Sequence, residues 1–195
     1  KEAADESFNA ITIDGDTSTN DSCMLIATGQ SGVTVKLEKP ENYDVFRAAL
    51  VGVFVQLAHA IVRDGEGATK FVTIAVEQAE TVEEAREVAY TVAHSPLVKT
   101  ALFASDPNWG RIVAAVGRAD VEELDVSKVY VYLNDVLIAE KGALAESYTE
   151  AAGAAEMAKE EITIRILLGR GQYTTKVYTI DFSYDYVKIN ADYRS

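Results

Sequence analysis

The chain reads as an α/β protein in which helices are layered on mixed β-sheet, and three features of the sequence carry that reading. Runs of strand length rich in Val, Ile, Phe and Thr recur at 69–76, 129–133, 136–139, 161–168 and 173–181. Helical runs at 42–61, 81–93 and 150–158 lie among them. The two kinds mix without strict strand–helix–strand alternation, and hairpins dominate the second half, which points to mixed sheets in a layered sandwich with helices outside. With 195 residues the chain forms one large domain or two small ones. Neither an internal repeat nor a low-complexity linker marks a boundary between sub-domains.

The N-terminal residues Lys1-Glu2-Ala3-Ala4-Asp5-Glu6 resemble the last turns of a helix, and the chain does not start with Met, so a preceding segment is expected. Ser7 to Ile13 alternates loosely and predicts a strand. Asp14 to Asp21 is eight small polar residues in a row, which cannot pack a core; Asp, Ser, Thr and Asn there bond to nearby backbone and hold a rigid loop. The loop does not fit a calcium-binding helix-loop-helix, because the twelfth residue from Asp14 is Leu25 instead of Glu. Ser22 to Thr28 predicts a buried strand with Cys23 as a small core residue, and Val33 to Leu37 a short one.

The long helix from about Asn42 to Ile61 is apolar nearly all round, which predicts burial; Gly52, Gln56 and His59 interrupt it, and it reads as too short to span a bilayer. Gly65 suits the left-handed residue that closes a helix, and Gly67 lets the backbone pass close to a neighbour. Between them Glu66 places a carboxylate on a short loop, either solvated or serving a ligand. Thr69 to Val76 then predicts a strand.

Thr81-Val82-Glu83-Glu84 is a capping box opening a helix to about Ala93, before Ser95-Pro96. Leu97 to Ala104 reads as an apolar strand. Asp106 as N-cap and Pro107 at the first helical position open a helix that stops near Gly117. Trp109 anchors that turn; the alternative is a helix N-terminus facing an anion. Asn134-Asp135 is a hairpin turn. Gly169 to Gln172 turns the chain into a return strand, Tyr173 to Asp181. The aromatic tail, Phe182 to Ser195, is expected to dock on the body of the protein. His59 and His94 are expected to be hydrogen-bonded structural residues.

A formal net charge of −13 argues against nucleic acid and anionic membrane partners, which need basic surfaces. The single cysteine excludes an internal disulfide framework. There is no phosphate-binding glycine loop ending in Lys-Ser/Thr, dinucleotide fingerprint, His-Glu-x-x-His, paired cysteines or Gly-x-Ser-x-Gly elbow. The residues alone therefore leave the chemistry unassigned, and no metal is expected.

Four stretches together resemble the β chain of the ornithine acetyltransferase (glutamate N-acetyltransferase, ArgJ) family: Phe8 to Asp21, Arg63-Asp64-Gly65-Glu66-Gly67-Ala68-Thr69-Lys70, Asp106 to Ile112, and Tyr186 to Ser195. The resemblance implies a DmpA/ArgJ-like fold and a precursor that cuts itself before a Thr, leaving α and β chains together. The new N-terminal Thr would take acetyl from N-acetylornithine and pass it to glutamate, its own α-amine serving as base. Residues 1–195 would then be a β chain lacking its N-terminal segment, with the nucleophile upstream of Lys1 and no catalytic residue in this chain. The implied substrate-binding residues are Glu66, Asn190 and Ser195. The implied partners are the α chain, in a heterotetramer of two α and two β chains, and the ornithine and glutamate substrates with their N-acetyl forms. No bound cofactor is implied, and family members differ in whether acetyl-CoA is a second acetyl donor; the implied compartment is cytoplasmic. The competing readings are an N-terminal-nucleophile amidase or aminopeptidase that gives acetyl to water, and a non-catalytic amino-acid-binding subunit.

Overall fold

A computed structural model describes residues 1–193. Its strands are β1 (Phe71–Ala79), β2 (Tyr130–Leu133), β3 (Val136–Glu140), β4 (Ala143–Leu144), β5 (Glu161–Leu167) and β6 (Tyr173–Ile180), and they join in one sheet in the order β4-β3-β2-β5-β1-β6. β1 pairs in parallel with β5 and antiparallel with β6. The remaining pairs are antiparallel. The mixed sheet expected from the sequence is therefore present. The return strand is not a hairpin partner of β5, however: β6 crosses to the far side of β1, whose longer apolar run fills the space between them.

Side chains alternate across a strand, so one face of the sheet carries Val72, Ile74 and Val76 of β1, Ile162, Ile164 and Ile166 of β5, and Val131 and Leu133 of β2, all buried. Four helices cover that face: α3 (Val82–Ala93), α4 (Pro96–Phe103), α5 (Trp109–Val116) and α6 (Glu150–Met157). Each helix starts on a side-chain cap from Thr81, Ser95, Asn108 or Thr149. The run from Leu97 to Ala104, read from the sequence as a strand, is helix α4 instead. Ser95 caps and Pro96 occupies the first turn, so the pair opens a helix as well as ending the previous one; an eight-residue apolar run has no period that distinguishes the two. The next helix starts two residues later than expected, with Asn108 as cap in place of Asp106.

On the opposite face Phe71 and Ile180 pack with Val62 from α2 (Pro40–Arg63), together with Ile11, Ile13 and Tyr178. Here the structure departs furthest from the sequence. Residues 2–5 form α1 (Glu2–Asp5), as the helical N-terminus requires, but Phe8–Ala10 is a 3-10 turn, and only Ile11 bridges to Tyr178. The expected strands at 22–28 and 33–37 do not form. Met24 and Ile26 are 79% and 80% exposed and Cys23 is exposed, because no described strand lies alongside to complete a ladder. In α2, only Ala58 and Val62 are buried. Its 24 residues make it long and apolar enough, by length and composition, to cross a bilayer, which corrects the shorter helix read from the sequence. His59 stacks edge-on with Phe71 and Tyr178, and its Nε2 has no hydrogen-bond partner, unlike the bonded residue expected.

Candidate functional site

The site is built where the end of α2 meets the end of β6. Asp64 closes α2 at φ −90° and ψ 9°, and Gly65 is not left-handed; its place in the turn is instead set by space, since a Cβ there would lie 2.8 Å from Ile13 Cδ1. Gly67 carries the positive φ, +66°, and a Cβ on it would fall 2.4 Å from the Tyr186 backbone nitrogen. The close neighbour expected beside Gly67 is thus the first turn of α7 (Tyr184–Asp192), the docked tail.

Two side chains bind these segments. Asp181, fully buried directly after β6, accepts hydrogen bonds from Thr69 N (2.9 Å), Thr69 Oγ1 (2.6 Å) and Lys70 N (2.9 Å). Ser183 donates through Oγ to the Gly67 carbonyl at 2.6 Å and accepts from Tyr186 N at 3.2 Å, so one hydroxyl caps α7 and holds the glycine loop. The consequence is that Glu66 and Asn190 meet. Asn190 Nδ2 donates to Glu66 Oε2 at 3.4 Å and to the Tyr186 carbonyl at 2.9 Å. Both residues are exposed, so a carboxylate and an amide are presented to solvent side by side. Ser195, the third binding residue implied by the resemblance, lies outside the described residues.

The polar loop joins the same place. Tyr186 donates its hydroxyl to Asp14 Oδ2 at 2.8 Å, and Asp14 Oδ1 accepts from Asp16 N at 2.9 Å. Burial, the bond to Asp14, and the charges of Asp14, Glu66 and Asp16 push the Tyr186 phenol up to about 12, so it stays a neutral donor. Gly15 packs against the His94 ring, and His94 Nε2 shares a hydrogen bond of 2.9 Å with Thr12 Oγ1. Burial and the Lys99 charge lower the His94 pKa.

Beneath this layer lies Lys99, a fully buried amine on α4. Its Nζ donates to Thr179 Oγ1 at 2.7 Å and to the Ile180 carbonyl, and it lies 4.6 Å from the centre of the Phe182 ring, which stacks on Tyr186. Burial pulls its pKa down to about 7 against the opposing charges of Asp181 and Asp14. Sequence reasoning assigned no role to Lys99, Asp181 or Tyr186. The signal for Lys99 was a lone cation inside the run Leu97-Val98-Lys99-Thr100-Ala101-Leu102, and that for Tyr186 was its place in the aromatic tail expected to dock; nothing local marked Asp181.

Trp109 is half-buried against the core, and the Asn108 side chain already caps the amide of Arg111 at 3.1 Å, so the structural reading of that turn holds. Open grooves of ≈ 520 Å³, on α3, and ≈ 730 Å³, between α2 and Cys23, lie apart from the Glu66–Asn190 cluster.

Residues 1–195, the whole chain, match the family model described as the ArgJ family. The chain belongs to the ArgJ family. The arginine biosynthesis bifunctional protein ArgJ of Pseudomonas fluorescens (strain Pf0-1) is 58% identical over 195 residues, covering 100% of this chain and 48% of that protein. The protein of the same name from Psychrobacter arcticus is 58% identical over 193 residues, covering 98% and 47%. The chain thus spans about half the length of the curated ArgJ relatives it matches. A crystal structure of arginine biosynthesis bifunctional protein ArgJ from Bacillus halodurans superposes with a TM-score of 0.91 at 34% identity, over 98% of this chain and 90% of that one. The α/β fold read from the sequence is therefore the ArgJ fold.

Proposed function

We propose that this chain is the substrate-gripping β chain of a self-cleaved ArgJ enzyme that moves acetyl from N-acetylornithine to glutamate through an acetyl-threonine intermediate. The observation that carries the reading is the meeting of Glu66 and Asn190 across 124 residues of sequence, a juxtaposition that packing of the core does not need. A carboxylate suits the ammonium of an amino acid, and an amide can donate to its carboxylate. Ser195 would join them at the end of the tail. The Bacillus halodurans ArgJ chain is covered to 90%, against 48% and 47% of the curated relatives, which supports division of the family's protein into two chains.

The attacking Thr belongs to the stretch before Lys1, where its own amine would take the hydroxyl proton as acetyl is transferred, and the N-terminal half would supply donors for the tetrahedral oxyanion. The partner is that half, the α chain. Its docking accounts for the bare apolar faces of α2, where Val45, Val53, Leu57 and Ile61 are exposed, and of 22–37. Two such pairs make a heterotetramer in the cytoplasm. The chemistry calls for no resident cofactor, and acetyl-CoA enters only as an alternative acetyl donor.

The test is the full-length protein incubated with acetyl-labelled N-acetylornithine. The expected result is a labelled N-terminal Thr on the β chain, released to glutamate when glutamate is added. Loss of label to water at the same rate with and without glutamate would overturn transfer in favour of an amidase; no covalent label at all would remove the acetyl-enzyme.

A further inference from the structure

We propose that Asp14 and Tyr186 form a latch that positions α7, so that the Asp14–Asp21 loop sets the geometry of the amino-acid grip. The proposal rests on the reading of Glu66 and Asn190 as substrate contacts. Three contacts converge on Tyr186 and tie α7 to two distant segments, the polar loop and the glycine loop. Its hydroxyl reaches Asp14 in the polar loop, its amide is capped by Ser183, which holds Gly67, and its carbonyl receives the Asn190 side chain one turn on. Its ring lies on Phe182 with 4.5 Å between centroids.

Elsewhere among the described residues α7 is held only by surface contacts, Tyr184 edge-on to Phe103 with 5.4 Å between centroids and Asn190 to Glu66. None of its residues is buried, and Tyr184 and Val187 are 84% and 62% exposed. A nine-residue helix is marginal without tertiary contacts. The Tyr186 hydroxyl bond to a carboxylate is therefore a large share of what fixes its angle on the glycine loop. Asp14 is itself prepared: its second oxygen is taken by the Asp16 amide, and the neighbouring Gly15 is seated against His94. The acceptor is thus held by contacts that do not involve the tail. Asp14 and Tyr186 are positioning residues in this scheme, and Asn190 is the group they position.

The experiment uses the full-length protein and two readouts. Trypsin cleavage after Lys188, an exposed residue inside α7, reports release of the helix without reference to activity. The KM for the amino-acid substrate reports the grip. Tyr186→Phe keeps the Phe182 stack and deletes the donor; Asp14→Ala deletes the acceptor; Asp14→Asn keeps an acceptor oxygen. We expect Tyr186→Phe and Asp14→Ala each to raise cleavage after Lys188 and KM about ten- to a hundredfold, with kcat changed much less, consistent with loss of one hydrogen bond to a charged group. The double variant should match either single one, and Asp14→Asn should recover most of the loss. Additive effects of the two single changes, or cleavage unaltered in Tyr186→Phe, overturn the latch. Faster cleavage with unaltered KM overturns positioning. Asn190→Ala then tells which idea has failed: if it raises KM, the grip stands and the latch is wrong; if it does not, the reading of the tail as a substrate contact is wrong.

Discussion

A single methyl group placed at Gly67 probes both the fold and the proposed site. The residue sits at φ +66°, where an L side chain costs about 1–2 kcal/mol. The added Cβ in Gly67→Ala would lie 2.4 Å from Tyr186 N, 2.7 Å from Ser183 Oγ and 2.9 Å from Asp185 C. Two of these are backbone atoms at the start of α7 and cannot swing aside as the tip of a long side chain would. Restoring ordinary van der Waals contact means parting the glycine loop from α7 by about 1 Å. The Asn190–Glu66 contact, already at 3.4 Å, does not survive that movement. A misplacement of about 1 Å in a substrate-positioning group costs on the order of 100-fold in rate, so kcat/KM for acetyl transfer should fall by about that factor. The backbone strain by itself should lower the melting temperature of the full-length protein, about twice as long as this chain, by about 1–4 °C. Steady-state kinetics and calorimetry on the full-length protein measure the two effects separately. A lowered melting temperature with kcat/KM within about twofold of the parent would show that substrate is not held where Glu66 faces α7. No change in either would refute the argument from left-handed geometry and close approach.

Glu66→Ala should raise the KM for the amino-acid substrate by about tenfold or more with little change in melting temperature, because the side chain is exposed and a charge-assisted hydrogen bond contributes about 1.5–3 kcal/mol; unchanged kinetics would remove Glu66 from the site. Asp181→Ala leaves the amides of Thr69 and Lys70 and the Thr69 hydroxyl without their acceptor, so denaturant titration should show a loss of about 3–5 kcal/mol, and a loss below about 1 kcal/mol would contradict that accounting. Lys99, with a folded pKa near 7 against an ordinary value of 10.5, binds its proton more weakly in the folded than in the unfolded chain. Its contribution to stability therefore rises from pH 7 to about 10.5 and is lost as pH falls back through 7. Melting temperatures of Lys99→Met should lack that part of the pH dependence, and parallel curves for the two proteins would refute the assignment.

The parts of the fold legible in the sequence are those whose pattern is local. β1, β2, β3, β5 and β6 fall where the β-branched runs lie, α3 follows its Thr81 cap and α6 its helical run, because a strand face or a helix cap is set by residues a few positions apart. The polar loop was legible for the same reason. The exposed 22–37 stretch and the bare faces of α2 were not: an apolar run states that a surface is to be covered and does not state by what. Likewise Pro96, beside Ser95, marks an end and a beginning equally well until packing chooses.

The amino-acid order alone determined the α/β class, the glycine-flanked carboxylate at Glu66 and the aromatic tail that must dock. The folded chain decided the rest: that β1 separates β5 from β6, that Asp181 and Ser183 tie the glycine loop to α7, and that Asp14, Glu66 and Asn190 gather around Tyr186. The bonds of Asp181 to Thr69, Ser183 to Gly67, Tyr186 to Asp14 and Asn190 to Glu66 join residues more than a hundred positions apart. No local periodicity encodes such a pairing; it arises only when the sheet brings the end of β6 beside the end of α2.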